Sequence, residues 1–473
     1  MKWILSAALC ALYAAAAAVD EPTKQLARDI FQQLIEINTT DSVGNTTTAA
    51  EAMRKRLLDA GMPASDVVVM GPNDRKGNMV AHLRGTGAGK PILIIAHLDV
   101  VEAKRSDWTT DPFKFIEKDG FFYGRGTQDM KESDAIAVTT FIRFLKEGYK
   151  PNRDLILALT ADEEGGTSNG VNWLLKHHRE LLDAEYALNP DAGGVTTEKG
   201  KPVDVEVEAT EKLYADFQLT ATNPGGHSSL PTADNAIYEI ADALGRLEKT
   251  PFPFELNNVT RAWFTQVAGS ESPQVGADIR AMLQDPPDAA AIARLSKNPR
   301  FNSTFRTTCV ATRLSGGHAD NALPQTAQAL VNCRILPGHS AEEVRQELIK
   351  VFADPKITLR YKDTLTAEYL DKAPDTKAFL PPPLRPDVMN SLRAIASKMW
   401  PGAPVIPEME TGASDSIYTI AAGLPSYGIN GIAIDSDDVR AHGKDERLRV
   451  DSYYNGVDFY YRFLKAITSS ASY

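Results

Sequence analysis

Apolar residues follow two different periods along this chain. In the first part, short apolar runs alternate with stretches in which apolar residues recur every three or four positions. The runs predict buried strands and the recurring positions predict helices. Strands are expected at 66–70, 78–83, 91–96, 155–160 and 185–188. This alternation is typical of a sheet covered by helices.

The pattern changes after Ala209, where apolar and polar residues alternate strictly from Leu213 to Leu219. Such alternation predicts a strand with one exposed face. Helix and strand patterns then continue to residue 361 in the order β-α-β-β-α-β, which is the ferredoxin-like arrangement. Residues 250–305 interrupt this order, and their pattern assigns no structure. The α/β pattern returns after the proline-rich segment 380–386.

These patterns predict an α/β fold: a helix-flanked mixed sheet with an inserted ferredoxin-like α+β lid domain. The expected boundaries are 19–209 and 379–473 for the two parts of the main domain, and 210–378 for the lid. Residues 1–18 hold Lys2, an apolar stretch and an alanine run, which predict a cleaved signal peptide. The protein is therefore expected to be secreted or periplasmic.

The net charge limits the classes of binding partner, and the two cysteines of the lid pattern raise the question of a disulfide. A net charge of -11 argues against nucleic acid and anionic membranes as partners. Cys309 and Cys333 fall on two strands of the lid pattern and lie opposite each other if a hairpin is centred near Asn321. An exported protein could oxidise them to a disulfide, and two buried thiols are the alternative. Both outcomes stay open at this stage.

The strand predicted at 155–160 ends in the adjacent carboxylates Glu163 and Glu164, followed by two glycines. Neighbouring carboxylates repel each other unless a cation or a shared proton offsets the repulsion. Ligands in open α/β sheets bind beyond the carboxyl ends of the strands, where these acids lie. A solvated acidic turn is the simpler interpretation of this segment alone.

Four further residues change that interpretation. His97 follows the strand at 91–96, Asp191 follows the strand at 185–188, Asp129 follows a glycine turn, and His442 lies in a polar loop. Together with the two glutamates they supply the nitrogen and oxygen ligands that zinc accepts.

At these residues the sequence resembles the zinc peptidases and amidohydrolases of the M20 clan, which include carboxypeptidase S, bacterial dipeptidases and aminoacylases. The matching segments occur in the family's order: Ala96–Val101, Gly124–Lys131, Asp162–Gly166, Asn189–Asp191, Gly226–Ser228 and Ala441–Glu446. The family fold is a zinc-binding α/β domain interrupted by a ferredoxin-like lid, which agrees with the pattern above.

The resemblance implies two zinc ions per chain. Asp129 would bridge them, His97 and Asp191 would complete one site, and Glu164 and His442 would complete the other. It also implies a cis peptide bond after Asp129.

For catalysis, the resemblance implies that Glu163 is the general base and that Asp99 orients His97. In the lid, His227 would stabilise the oxyanion, from the partner subunit in dimeric relatives, so a homodimer through the lid is expected. Asn321 and Arg334 resemble positions that hold the substrate carboxylate, and Gly412 and Ser414 resemble a substrate-contacting turn.

The expected function is hydrolysis of an amide bond in a small peptide with a free carboxylate, of the carboxypeptidase or dipeptidase type. One alternative substrate is an N-acyl amino acid, as for an aminoacylase, and the long excursion at 250–305 resembles the carboxypeptidase S branch. A non-catalytic binding protein on the same fold is the alternative of another class.

Overall fold

The computed structural model describes residues 19–364, 366–375 and 380–469. The predicted signal peptide at 1–18 lies outside the described residues. The α-helices are α1 Glu21–Glu36, α2 Thr46–Asp59, α3 Lys131–Glu147, α4 Gly170–His177, α5 Ala236–Lys249, α6 Asn258–Ser270, α7 Pro273–Met282, α8 Ala289–Leu295, α9 Pro299–Thr304, α10 Ala341–Phe352, α11 Pro386–Met399, α12 Ser416–Ala421 and α13 Val450–Thr468.

The strands are β1 Val67–Met70, β2 Asn78–Leu83, β3 Ile92–His97, β4 Ile116–Lys118, β5 Phe121–Tyr123, β6 Leu155–Thr160, β7 Tyr186–Asn189, β8 Gly194–Glu198, β9 Lys201–Glu211, β10 Leu213–Thr222, β11 Gly226–His227, β12 Thr308–Gly316, β13 Ala322–Leu323, β14 Thr326–Ile335, β15 Ile357–Lys362, β16 Tyr369–Leu370, β17 Val405–Glu410, β18 Ser426–Gly428, β19 Ala433–Asp435 and β20 Arg447–Arg449.

The main sheet is mixed and has the order β1-β2-β6-β3-β7-β18-β9-β8-β19, with β17 also paired to β9. Its centre is parallel, because β3 pairs in parallel with both β6 and β7. Strand β3 is buried along its whole length. Ile92 and Ile94 face the core shared with α1, α3 and α13, whereas Leu93 and Ile95 face the core under α4. Helices on both faces explain why this strand is apolar at successive positions.

The lid sheet has the order β12-β14-β10-β15-β16, and its strands pair antiparallel. With α5 after β10 and α10 after β14, this is the predicted ferredoxin-like order, so the α/β fold with an inserted α+β lid is confirmed. Helices α5 and α10 cover one face through apolar residues such as Ile240 and Leu348.

Cys309 and Cys333 are directly opposite in the β12–β14 register, and their sulfur atoms form a disulfide. Of the two redox states left open by the sequence, the structure has the oxidised one. The hairpin loop between the strands contains Asn321, as the pattern predicted.

The excursion at 250–305 is helical and holds α6 to α9. Each of the four helices begins at a side-chain cap, formed by Asn257, Ser272, Asp288 or Asn298. The helices form an apolar cluster of their own that includes Ile406 of β17. The excursion therefore packs against the main sheet, although its sequence lies within the lid.

Two features differ from the sequence pattern. Strand β9 runs to Glu211, so the change of pattern at Ala209 falls inside a strand of the main sheet. Strands β8, β9 and β17 of the main sheet were not predicted. Among the described helices, none has both the length and the apolar composition needed to cross a bilayer.

Candidate metal centre

Three adjacent parallel strands deliver acidic and histidine side chains to one edge of the main sheet. His97 is the last residue of β3, Glu163 and Glu164 follow β6, and Asp191 follows β7. Because the carboxyl ends of parallel strands meet at the same edge, residues far apart in sequence become neighbours there.

The His97 side chain is buried and faces three carboxylates. Its Nε2 lies 3.2 Å from Oδ1 of Asp129, 3.5 Å from Oδ1 of Asp191 and 3.9 Å from Oε2 of Glu163. This Nε2 is buried without a hydrogen-bond partner among the described residues. A buried ring nitrogen aimed at carboxylates is the arrangement of a metal ligand.

Asp129 lies between the two histidines. Its Oδ2 is 3.0 Å from Nε2 of His442, and the same nitrogen is 2.9 Å from Oε2 of Glu164. The peptide bond from Asp129 to Met130 is cis, as the resemblance implied. Asp129 thus has one oxygen toward each histidine, which is the placement of a bridging carboxylate.

The donor set fits a divalent metal ion. One ligand atom from each of His97, Asp129 and Glu164 lies within 4.8 Å of the others. With His442 and Asp191, the group has two imidazoles and three carboxylates, and Asp129 is at its centre. Nitrogen and oxygen donors of this kind suit zinc and similar first-row ions.

Asp99 contacts His97 through its backbone carbonyl, and its carboxylate is farther from the ring. The backbone carbonyl of Asp99 is 3.1 Å from Nδ1 of His97, whereas its carboxylate is 3.8 Å from that nitrogen. The carboxylate instead accepts the backbone N–H groups of Glu163, at 3.1 Å, and Glu164, at 3.0 Å. Main-chain geometry therefore fixes the imidazole, and the Asp99 side chain fixes the acidic turn.

Burial and charge shift the pKa values in this group. Burial raises the pKa of Glu163 well above its ordinary value, and nearby Asp191 adds to the effect. Burial alone would raise the pKa of Asp129, but the two histidines lower it below its ordinary value. Hydrogen bonds to Asp129 and Glu164 raise the pKa of His442 to about 10. The region holds more negative charge than its histidines balance, as a cation site requires.

A cleft of about 740 Å³ opens between the acidic turn and the lid. Its lining includes Glu163 and Glu164 from the acidic turn, and Arg334 from β14 and Tyr214 from β10 of the lid sheet. The Arg334 guanidinium packs 4.7 Å from the centre of the Tyr214 ring, and its buried Nη1 has no hydrogen-bond partner among the described residues. Of the predicted substrate residues, Arg334 and Ser414 line the same cleft as the acidic turn.

The predicted substrate residues differ in position. Ser414 lines the cleft, but its buried hydroxyl accepts hydrogen bonds from Asn189 and from the backbone of Ser416. Gly412, His227 and Asn321 are not among the described residues that line the cleft. His227 and Asn321 are exposed on the lid, where the β11–β13 pair brings them together.

The residue prediction missed several groups that hold this site. Asp415 lines the cleft, accepts hydrogen bonds from Asn169 and Thr160, and has a pKa raised by burial to about 6. Its position directly after Ser414, in the segment that resembles a substrate-contacting turn, was the available signal. Two other groups were also missed. Gln128 directly precedes Asp129, and Glu446 lies in the same loop as His442.

Comparison with known proteins agrees with this site. Residues 93–466 match the sequence model of Peptidase family M20/M25/M40, and the chain belongs to this family. It is therefore a hydrolase rather than a non-catalytic binding protein on the same fold.

Two curated relatives and two solved structures illustrate the range of the family. The chain is 29% identical to carboxypeptidase S-like 2 of Dictyostelium discoideum over 80% of this chain and 71% of that protein. It is 27% identical to the N-fatty-acyl-amino acid synthase/hydrolase PM20D1 of Mus musculus over 80% of this chain and 74% of that protein.

The M20 family metallo-carboxypeptidase Sso-CP2 of Sulfolobus solfataricus superposes on this chain with a TM-score of 0.69 and 17% sequence identity. The superposition covers 95% of this chain and 100% of Sso-CP2. The YXEP protein of Bacillus subtilis, described as a dinuclear metal binding peptidase from the M20 family, superposes with a TM-score of 0.57, at 11% identity, over 96% of this chain and 100% of its own. These structural likenesses show the shared fold.

Proposed function

We propose that this protein is a co-catalytic two-zinc hydrolase that cleaves an amide bond in small peptides with a free carboxylate, as a carboxypeptidase or dipeptidase does. The observation that carries the proposal is the position of Asp129, with one oxygen toward each of two histidines and the buried Glu163 beside them.

The five candidate ligands divide into two sets around Asp129. His97 and Asp191 would hold one ion, and Glu164 and His442 would hold the other, since each pair lies on its own side of the bridging carboxylate. Zinc bound there would polarise the scissile carbonyl and make a water molecule more acidic.

Glu163 is placed to move the proton. Its side chain lines the cleft, and its Oε2 is 3.9 Å from Nε2 of His97. Burial raises its pKa, so it would accept a proton from the attacking water and return it to the leaving amine. Asp99 would hold Glu163 in place through the backbone of the acidic turn.

Arg334 would bind the free carboxylate of the substrate. It lines the same cleft as Glu163, and its Nη1 has no partner among the described residues. A planar guanidinium binds a carboxylate through two parallel hydrogen bonds. Ser414 would support this cleft wall, whereas Gly412 would act through its backbone, whose N–H donates to Oε1 of Glu410 at 2.7 Å.

His227 and Asn321 would act across a homodimer formed by the lid. Both are exposed, and the lid sheet ends at β12, which is exposed from Val310 to Gly316. An exposed edge strand of this length favours pairing with another strand. A chain that is monomeric in light scattering at assay concentration would exclude this role for His227.

An N-acyl amino acid is the second candidate substrate, and a specific observation favours it. The cleft lining contains an apolar group beside its charged residues: Leu213 and Tyr361 from the lid, and Ile417, Tyr418 and Ile420 from α12. This surface suits an apolar acyl chain. The PM20D1 relative is named for N-fatty-acyl-amino acids, which agrees with that surface.

Metal analysis combined with a substrate panel tests the proposal. About two zinc ions per chain, with chelator-sensitive cleavage of dipeptides or N-acyl amino acids, are expected, and the panel decides between the two substrates. Protein that binds no metal and cleaves neither substrate after zinc is added would refute it. Detection of the mature chain without residues 1–18 outside the cytoplasm would support the secreted or periplasmic location.

A further inference from the structure

The side chain of Gln128 joins the two loops that carry Asp129 and His442. Its Oε1 accepts the backbone N–H groups of Arg440, at 2.6 Å, and Ala441, at 3.1 Å. Its Nε2 donates to the backbone carbonyls of Asp438, at 3.1 Å, and Arg447, at 2.7 Å. Both ends of one amide thus bind the main chain of the segment around His442.

The connection is reciprocal. Glu446, from the His442 loop, accepts the backbone N–H groups of Gly126, at 3.1 Å, and Gln128, at 2.7 Å, through Oε1. Its Oε2 accepts from Nη1 of Arg125 at 2.6 Å. Each loop therefore uses a side chain to bind the backbone of the other, and the ligands Asp129 and His442 are adjacent to these bonds.

His442 depends on such bonds more than His97 does. His97 ends a buried strand, whereas His442 lies in the loop between β19 and β20, with its side chain 55% exposed and a backbone φ of +62°. Arg440 and Ala441, the two residues directly before it, bind Gln128 through their N–H groups, and the carbonyl of His442 accepts a longer hydrogen bond, at 3.4 Å, from Nη2 of Arg125.

The side-chain amide of Gln128 suits this position because it can both accept and donate hydrogen bonds. It offers two acceptor lone pairs and two N–H donors, and all four are used here. A glutamate at this position would keep the two acceptor bonds and lose the two donor bonds. A methionine, of similar length, would lose all four.

We propose that Gln128 is a positioning residue that holds His442 against Asp129 and thereby sets the affinity of the ion bound by Glu164 and His442. This inference rests on the proposed two-metal function. Residues behind a metal ligand that fix its orientation typically change metal affinity by about 10- to 100-fold when they are replaced.

The test measures zinc affinities of the metal-free full chain by competition with a chromophoric chelator. We expect Gln128→Met to weaken one of two zinc-binding steps about 10- to 100-fold and to change the other by less than about threefold. Gln128→Glu is expected to lie between Gln128→Met and wild type. Gln346→Met, which removes an exposed glutamine amide bonded to Glu342 on the lid, is the matched control and should leave both steps unchanged.

A double-variant cycle shows whether Gln128 acts through His442. His442→Ala should weaken the same step, and adding Gln128→Met to it should produce no further loss. Additive losses would overturn the proposal, as would equal weakening of both steps. Circular dichroism melting identifies any variant that is unfolded, and Gln128→Glu then carries the test.

The outcomes separate this proposal from the one on which it rests. Wild-type protein that binds fewer than two zinc ions would refute the two-metal function itself. Wild-type protein that binds two ions, with Gln128→Met equal to it in both steps, would refute only the positioning role.

Discussion

The carboxylate of Asp99 accepts the backbone N–H of Glu163 at 3.1 Å, with the neighbouring N–H of Glu164 on its other oxygen. The same residue uses its backbone carbonyl to contact the imidazole of His97. One residue thus connects the end of β3 to the acidic turn after β6, and the proposed base and a proposed ligand are fixed relative to each other by main-chain atoms.

Replacing Glu163 with glutamine should lower turnover about 10²- to 10⁴-fold while metal content stays at the wild-type value, since the amide cannot accept the proton. Turnover and elemental analysis on the same sample check this. Glu180→Gln, at an exposed position with 72% side-chain accessibility, is the control and should keep full activity. Equal turnover in Glu163→Gln would remove the residue from the role of base.

Asp99→Asn should disturb the acidic turn more than it disturbs His97. The amide that replaces one carboxylate oxygen would direct its NH₂ group toward a backbone N–H, so one of the two bonds to Glu163 and Glu164 is lost. We expect activity to fall about 10- to 100-fold. Steady-state kinetics with metal analysis measure it, and a larger loss of the ion at His97 than of the ion at Glu164 would contradict this account.

Arg334→Lys should raise KM for substrates with a free carboxylate by about tenfold or more and should change kcat less, because a lysine cannot form the bidentate pair. The control is the same substrate with an amidated carboxyl group, for which the two enzymes should differ little. An equal change for both substrates would show that Arg334 serves the structure of the cleft and not carboxylate binding.

Glu342 should make the lid acid-sensitive. It binds Arg345 through both oxygens, at 2.7 and 2.8 Å, and accepts the backbone N–H of Ala373. The Arg345 hydrogen bonds lower its pKa to about 2, whereas a glutamate in the unfolded chain has a pKa of about 4.3. The folded state therefore favours the charged form, and the stabilisation is complete above about pH 4.3 and disappears toward pH 2.

Urea unfolding of wild type and Glu342→Gln measures this effect. The variant should be less stable by about 1–2 kcal/mol near pH 6, and the difference should shrink as the pH falls toward 2. A difference that stays constant over this range would show that the charge of Glu342 does not stabilise the lid.

Reduction of the Cys309–Cys333 disulfide should destabilise the lid by about 3 kcal/mol, because the bond closes a loop between cysteines 24 positions apart. Thermal unfolding with and without a reductant measures the change. The double variant Cys309→Ala and Cys333→Ala should unfold at a temperature that does not depend on the reductant. A wild-type melting temperature that is equally independent would show that the bond does not stabilise the fold.

The sequence predicted the fold correctly in segments where the apolar residues follow one clear spacing, either that of a helix or that of a strand. Strand β2 was predicted with the bounds that it has, and the β-α-β-β-α-β order of the lid's main strands and helices was also predicted. Strand β9 was missed, although Val203, Val205 and Val207 alternate with acids, because β9 continues to within one residue of the lid strand β10. Glu208 of β9 is buried among other carboxylates, and a single sequence gives no reason to expect that.

The helices at 258–304 show a second limit. Their caps are visible in the sequence, but α8 and α9 are too short for an apolar period to be recognised against the prolines around them. Their packing partner, Ile406, lies more than a hundred residues away in the chain. Local patterns carry no information about a contact of that kind.

For the site, residue chemistry and family resemblance predicted the candidate ligands that lie together in the structure, because each follows a strand end or lies near a glycine. The supporting groups could not be predicted in the same way. Gln128 acts through backbone atoms of a distant loop, and Asp99 acts through its own carbonyl. Such bonds depend on the path of the main chain in the folded protein. Many polar side chains that make no such bonds look the same in the sequence.

The helices α6 to α9 join the lid to the main sheet a second time. Trp263 and Phe301 share an apolar cluster with Ile406, and Arg300 pairs with Glu206 at 3.0 Å. Close-packed apolar contacts of this kind resist sliding. On this side of the molecule, any rotation of the lid that widens the cleft would therefore have to break this cluster or deform the chain that joins it to the lid strands, so the excursion limits how far the cleft can open.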